Sequence, residues 1–242
     1  MNLYSELLEL LPKEPVRLRS VLVGVHWTLV CSRNCGLAST LVNCGPHGHT
    51  HMRDVGSLLE KSAQELAGWM VSDNLLEASV GMAAFNSLID VDTSKLKEVN
   101  ASEVLKRECP GKNLAVIGHF PFISKLRDLA ANLWVIEKDP HGDDFPEEAA
   151  QDCVPRADIV AITGTAFINH TMENLLSLCR PDALVMILGP STPMAPLLFD
   201  HGVTYLSGSR VIDESAARLT IAQGAGFPQV QGVQVVTMVK DA

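Results

Sequence analysis

Hydrophobic and polar positions change their rhythm twice along the chain. After MNLYSELLELLPK, a short amphipathic helix by its spacing, the segment VRLRSVLVGVHWTLV (16–30) alternates and is rich in β-branched and aromatic residues. This predicts a strand or a hairpin arm, with a second extended piece at 37–42 beyond a turn at 34–36. In SLLEKSAQELAGWMV (57–71), Leu58, Leu59, Ala63, Leu66, Ala67 and Met70 recur at helical spacing and predict a helix. Ser72 and Asp73 are the expected caps of the next helix, LLEASVGMAAFNSLID. That helix is apolar nearly all round and should be buried, so its Glu77 and Asn86 must find partners there.

Between Asp90 and Lys112 the chain turns polar, with one surface helix expected at 101–108, stopped by Pro110 and Gly111. From Asn113 onward, short apolar runs alternate with helical segments: NLAVIG, ISKLRDLAA, NLWVIE, PEEAAQD, ADIVAITG, MENLLSLC, ALVMILG, TYLSGSRV. Such runs read as parallel strands covered on both faces. The expected fold class is therefore α/β: a small α+β domain over 1–95 followed by a Rossmann-like, doubly wound parallel sheet over 96–242.

Ligands of open parallel sheets bind beyond the carboxyl ends of the strands. Those ends are Gly118-His119-Phe120, Glu137-Lys138-Asp139, Thr163-Gly164-Thr165, Gly189-Pro190-Ser191-Thr192 and Ser207-Gly208-Ser209. Glycine admits close backbone approach and the hydroxyls supply adaptable donors and acceptors, so these tips are the expected cleft. The plain alternative is that Gly, Ser and Thr are common after any strand. Glu137 stands about where dinucleotide folds place a ribose-binding carboxylate.

The other half of that fingerprint is missing. In GHFPFI only the first glycine of GxGxxG survives; Phe120 and Ile123 occupy the other two places, so conventional NAD or FAD is not expected. Pro121 suits the start of the following helix, Phe120 or Phe122 offers a stacking face, and His119 is a titratable group. The alternative leaves both rings in the core and His119 merely hydrogen-bonded. Asn169 or Thr171 is expected to cap the helix MENLLSLC, with Thr163 and Thr165 near its anion-attracting end.

The remaining conspicuous chemistry is CSRNCGLASTLVNCGPHGHTHMRD, with Cys31, Cys35, Cys44, His47, His49 and His51. Thiolates and imidazoles suit a soft transition-metal ion. The spacing matches no compact site, and the histidines share a face only if GHTHM is extended, so a polar loop that happens to carry His competes with a metal site.

Composition narrows the partners. Nearly half of the 242 residues are hydrophobic, enough for a real core, and the net charge of −9 with no basic cluster argues against nucleic acid or an anionic membrane. The N-terminus lacks the basic region of a signal peptide and no run of about 18 apolar residues occurs, so a cytoplasmic protein is expected. Its six cysteines contain no CxxC pair and read as free thiols.

VIGHFPF, the run from EKDPHGDDFPEE to MENLLSL, and ILGPSTPMAPLLFDHGVTYLSGSRVID together resemble the bacterial and archaeal family labelled "putative heavy-metal chelation". GLAST and EASVGMAAFN extend the likeness over the first half. The resemblance implies an enolase-N-terminal-like domain joined to a Rossmann-like one, a tendency to form homodimers, and a cleft between the domains. His119, Glu137, Thr163, Gly164, Thr165, Gly189, Pro190, Ser191 and Thr192 match its motifs. It implies no known reaction, and Cys31 to His51 lies outside its motifs.

Two readings of the cleft follow. One is a binding protein for a heavy metal or a metal-chelating small molecule, at Gly118, His119, Phe120, Glu137, Thr163, Gly164, Thr165, Asn169, Gly189, Pro190, Ser191 and Thr192. The other is an enzyme using an adenine nucleotide or an S-adenosylmethionine-type cofactor, with Glu137 on the ribose and His119 and Glu137 as the catalytic candidates. A weaker third reading, a 2-hydroxy-acid-dehydrogenase-like domain, lacks a placeable Arg, Glu and His set.

Overall fold

The computed structural model describes residues 2–43 and 50–240. The alternating segment folds into a three-stranded antiparallel sheet of β1 (Ser20–Val23), β2 (Trp27–Cys31) and β3 (Cys35–Ser39), in that order. β2 and β3 pair from Trp27 opposite Ser39 to Cys31 opposite Cys35, so the two cysteines close the hairpin. They are joined as a disulfide. This corrects the expectation of free thiols for that pair: the C-x3-C spacing brings them together only because Ser32, Arg33 and Asn34 form the turn. Cys109, Cys153 and Cys179 are free.

Three α-helices accompany this sheet, α1 (Leu3–Glu9), α2 (Ala63–Ala67) and α3 (Leu75–Leu88). Of these, α3 packs on β2 and β3, α2 packs on α3, and the Tyr4 hydroxyl of α1 donates to the Phe167 carbonyl in the second half of the chain. The helix expected over 57–71 is broken into a 3-10 turn at Leu58–Glu60, then α2, then another 3-10 turn at Gly68–Val71. The break has a local cause. Lys61 and Ser62 are extended, the Ala63 N–H bonds the Val16 carbonyl at 2.8 Å, and Ser62 with Glu65 then forms a reciprocal cap that restarts the helix. Asn74, rather than Ser72 or Asp73, caps α3 by accepting from the Leu76 N–H at 3.1 Å.

The apolar helix α3 is buried, as its pattern requires. Glu77 accepts from the Ser72 hydroxyl at 2.7 Å and the Arg53 N–H at 3.0 Å. Asn86 donates to the Leu37 carbonyl at 3.1 Å and the Ser191 carbonyl at 3.4 Å, linking this helix to a strand tip of the second sheet. Close packing of β3 on α3 depends on Gly36: a Cβ there would stand 2.1 Å from the Ala83 carbonyl oxygen and 2.4 Å from the Ser87 nitrogen.

Beyond α4 (Ala101–Glu108) comes the large sheet: β4 (Asn113–Ile117), β5 (Asn132–Glu137), β6 (Phe145–Pro146), β7 (Ile159–Thr163), β8 (Leu184–Leu188), β9 (Tyr205–Val211) and β10 (Val233–Val239). Its spatial order is β10-β9-β8-β7-β4-β5-β6. All pairs are parallel except β9 with β10, an antiparallel edge that the sequence pattern did not announce. The order reverses between β4 and β7, which is the topological switch point of a doubly wound sheet.

Both sheet faces are covered, which explains the continuous apolar runs. Ala115, Val160, Ile162, Val185 and Ile187 share one core with Leu7, Leu66, Met70 and Phe85 of the N-terminal helices. Leu114, Val116, Ile159, Ala161, Met186 and Leu188 face the other way, against Val104 and Leu105 of α4. Alternation along each strand thus serves two cores. The other helices of this half are α5 (Ala150–Cys153), α6 (Met172–Leu178) and α7 (Glu214–Ala222).

The connection after β4 departs from expectation. ISKLRDLAA forms one 3-10 turn, Ile123–Lys125, rather than a helix, and Pro121 lies in the preceding turn rather than at a helix start. The glycine turn opening directly onto a helix, which cradles pyrophosphate in dinucleotide folds, is replaced here by an aromatic turn.

Candidate functional site

The strand tips are built by backbone first. Gly118 after β4 and Gly189 after β8 have φ of +106° and +107°, a region side-chain-bearing residues rarely enter. A Cβ on Gly118 would also stand 3.0 Å from the Cβ of Thr163, so the tips of β4 and β7 meet at the switch point. Thr163 then accepts from the Thr165 N–H at 3.3 Å and its hydroxyl lies 3.0 Å from that of Thr165.

Two cavities open around these tips. One, of about 450 Å³, is lined by Gly118, His119, Phe120, Glu137, Thr163, Thr165 and Asn169 together with Lys138, Glu147, Leu41, Val42 and Leu75. The other, of about 380 Å³, is lined by His119, Phe120, Thr163, Gly164, Thr165, Gly189, Pro190 and Ser191 together with Trp27, Ser39, Asn100 and Phe227. They share His119, Phe120, Thr163 and Thr165. Each is far larger than an ion needs and falls within the usual span for small organic ligands, about 300–1,000 Å³.

The walls are partly aromatic. Phe120 and Phe122 stack with centroids 5.3 Å apart and planes 12° apart, and Trp27 tilts against Phe227 at 5.3 Å. The polar groups are few and oriented. The Ser191 hydroxyl accepts from the Ser39 N–H at 2.8 Å and donates to the Ser39 hydroxyl at 3.2 Å, bridging the small sheet to the large one.

His119 Nδ1 lies 3.1 Å from a carboxylate oxygen of Asp144, whose side chain is only 5% exposed. A carboxylate there favours the tautomer with hydrogen on Nδ1, leaving Nε2 free to accept a proton or bind a ligand. Asp144 carries no sequence signal of its own: it stands in the polar loop before β6, and only the pairing of β6 with β5 brings it to His119. In the same loop the Pro140 carbonyl, and after it the Asp139 carboxylate, hold His141 above the usual imidazole range.

Not every candidate converges. Thr192 is buried and lines a different cavity, beside Arg19, Asn86 and Glu214. No side chain caps α6: Asn169 instead accepts from the Thr171 hydroxyl at 2.7 Å and its N–H at 3.4 Å. His51 is exposed, with its carbonyl accepting from Asn74 at 2.6 Å. His47, His49 and Cys44 lie outside the described residues. Trp27, Ser39 and Phe227 had no functional signal in the sequence, because they come from segments far from any parallel strand tip.

A doubly wound sheet with a walled cleft at its switch point, covered on one side by an antiparallel layer, defines a Rossmann-like α/β protein, and such a switch point is where folds of this class generally place a ligand. Two family models, both described as "Putative heavy-metal chelation", match residues 4–89 (DUF4213) and 100–240 (DUF364). The chain belongs to this family. Its fold is that of a protein of unknown function from the DUF364 family of Desulfitobacterium hafniense, with a TM-score of 0.81 and 27% identity over 98% of this chain and 97% of that one. A DUF364 protein of unknown function from Pyrococcus horikoshii, 21% identical, has the same fold with a TM-score of 0.81, covering 98% of both chains. An uncharacterized protein of Methanocaldococcus jannaschii is 25% identical over 191 residues, 76% of this chain and 73% of that protein.

The family description implies a metal, and the cleft does not fit a bare ion. Among the described residues, no three His, Cys, Asp or Glu side chains of the cleft come within ligating distance of one another. His119 is paired with Asp144, and the other donors, the Glu137 and Glu147 carboxylates, the Asn169 amide, hydroxyls and backbone groups, are spread over two cavities without converging on one point. No described helix is long and apolar enough to cross a membrane.

Proposed function

We propose that the protein binds a small metal-chelating organic molecule, and any heavy metal that molecule carries, in the cleft between an N-terminal unit (1–95) and a Rossmann-like unit (96–242). The observation that carries this reading is the form of the cleft. Stacked Phe120 and Phe122 and tilted Trp27 and Phe227 offer flat apolar faces, while His119, Thr163, Thr165 and Ser191 offer separated donors and acceptors. Flat faces recognise rings and separated polar groups recognise a substituted periphery. Bare ions need converging ligands instead.

A thermal-shift screen of tag-free protein tests this, with nickel, cobalt and zinc salts compared against the same ions complexed by pyridine-2,6-dicarboxylate. The complexes should raise the melting temperature, with the gain reduced at least tenfold in apparent affinity, about 1.4 kcal/mol, by Phe120→Ala or Ser191→Ala. Equal stabilisation by the ions alone, unaffected by either substitution, would overturn the reading.

Glu137 supports a second reading. Its place at the end of β5, beside Phe120 in the larger cavity, suits a ribose hydroxyl and a stacked base. Stabilisation by adenosine or S-adenosylmethionine that disappears in Glu137→Ala would favour it over the first.

A further inference from the structure

Away from the cleft, the disulfide hairpin meets the second half of the chain at a corner with its own chemistry. The sulfurs of Cys31 and Cys35 and a carboxylate oxygen of Glu214 all lie within 4.8 Å of one another. Cys31 is fully buried at the end of β2, Cys35 is half-buried at the start of β3, and Glu214 opens α7. Glu214 reaches across from the other half of the chain: it accepts from Arg19 at 2.9 Å and from the Ser20 hydroxyl at 3.4 Å. Arg19 also points at the Cys35 sulfur, at 3.6 Å. Cys35 and Glu214 border a polar cavity of about 380 Å³. Asn86 and Thr192 line it too, each with a buried oxygen that has no protein partner.

We infer that this corner is a redox-gated site for a soft divalent cation of the zinc and cadmium class, held by Cys31, Cys35 and Glu214. In the disulfide form the sulfurs are bonded to each other and the cation has no thiolates. A dithiol reductant opens the site by exchange: the reductant's pair becomes a disulfide, and two electrons and two protons pass to Cys31 and Cys35. Binding then displaces the thiol protons to solvent and gives two thiolates and one carboxylate around the ion.

The geometry suits this coordination. Ligand atoms on one tetrahedral zinc lie roughly 3.5–3.8 Å apart, as bond lengths near 2.0–2.3 Å require. Breaking the sulfur–sulfur bond lets the two thiolates separate to that spacing, with the Glu214 carboxylate already within 4.8 Å of both. The Arg19 guanidinium stabilises the thiolate it faces, and the adjoining cavity leaves room for water in the fourth place. Because the cysteines and the carboxylate come from opposite halves of the chain, a bound ion also ties those halves together.

Cadmium titration of tag-free protein, followed by the ultraviolet thiolate-to-cadmium absorption, tests the assignment without any substitution. Protein reduced with a phosphine and freed of it should take up Cd²⁺ with that band, and the disulfide form should not. Glu214→Ala should weaken uptake by at least about tenfold while keeping the band. Cys35→Ser should lose most of the band, and His119→Ala in the cleft should leave it unchanged. Equal uptake by the oxidised and reduced forms overturns the proposal. So does a full band in Cys31→Ala/Cys35→Ala, which would put the thiolates elsewhere, or unchanged affinity in Glu214→Ala.

Discussion

The cleft and the hairpin corner are two candidate sites built in opposite ways. The cleft gathers its groups from the ends of β4, β5, β7 and β8 and from Trp27, Ser39 and Phe227, segments far apart in the chain. Its donors are spread over two cavities, each surrounded by aromatic and aliphatic surface. The corner draws two of its three groups from a single hairpin, separated by three residues, and crowds them within ligating distance. The difference is instructive: dispersed donors in a roomy cleft recognise a molecule, whereas crowded donors recognise an ion.

β3 serves both sites, carrying Cys35 at one end to the corner and Ser39 at the other to the cleft. Gly36→Ala is therefore the severest way to break the comparison. The added methyl has no room against the α3 backbone, and overpacking against main chain should cost about 3 kcal/mol or more. A large drop in the urea midpoint with loss of binding at both sites is expected, and unchanged stability would contradict the packing described.

Reducing the Cys31–Cys35 disulfide should be milder and should separate the sites. Freeing so short a loop costs about 2 kcal/mol on the chain-entropy account. Urea unfolding with and without a phosphine should show that loss, while ligand binding in the cleft persists.

The smallest effect is expected at the far end of the sheet. Asp158 accepts from the Asn113 N–H at 2.8 Å and from Arg180 at 3.1 Å, tying the starts of β7 and β4 beneath the switch point. The Asn113 amide and then the Arg180 guanidinium hold its carboxyl below the usual range. A depressed carboxyl stabilises the fold above its unfolded-state pKa, and that contribution fades as pH falls through the folded value. Asp158→Ala should thus lower stability by about 1 kcal/mol at neutral pH, discounted for its partial exposure, with the gap to wild type closing below about pH 4. Both binding sites should be unaffected.

Much of the fold is legible in the sequence because burial on two faces writes continuous apolar runs such as LAVI and IVAIT, and each ends in Gly or Thr at a tip. α3 is legible as a long, nearly all-apolar segment, and α4 as a polar one stopped by Pro110 and Gly111. What is not legible depends on tertiary pairing. The break at Lys61 follows from a bond to Val16, and the disulfide follows from hairpin register. Asp144 reaches His119 only through the two-residue strand β6, and Trp27 and Phe227 meet at the cleft only once the layers are packed. Thr192 reads like its neighbour Ser191, yet it turns to the other side of the strand tip.

The most direct test of the cleft as a site for a metal-bearing molecule is anomalous diffraction at the nickel edge, from crystals of tag-free, disulfide-form protein soaked with nickel pyridine-2,6-dicarboxylate. The account predicts a nickel peak in the cleft, with the pyridine ring against the Phe120 and Phe122 pair and its carboxylates near Thr163 and Ser191. A nickel ion stripped of its chelator and bound directly by cleft side chains, or a cleft left empty at saturating complex, would contradict it.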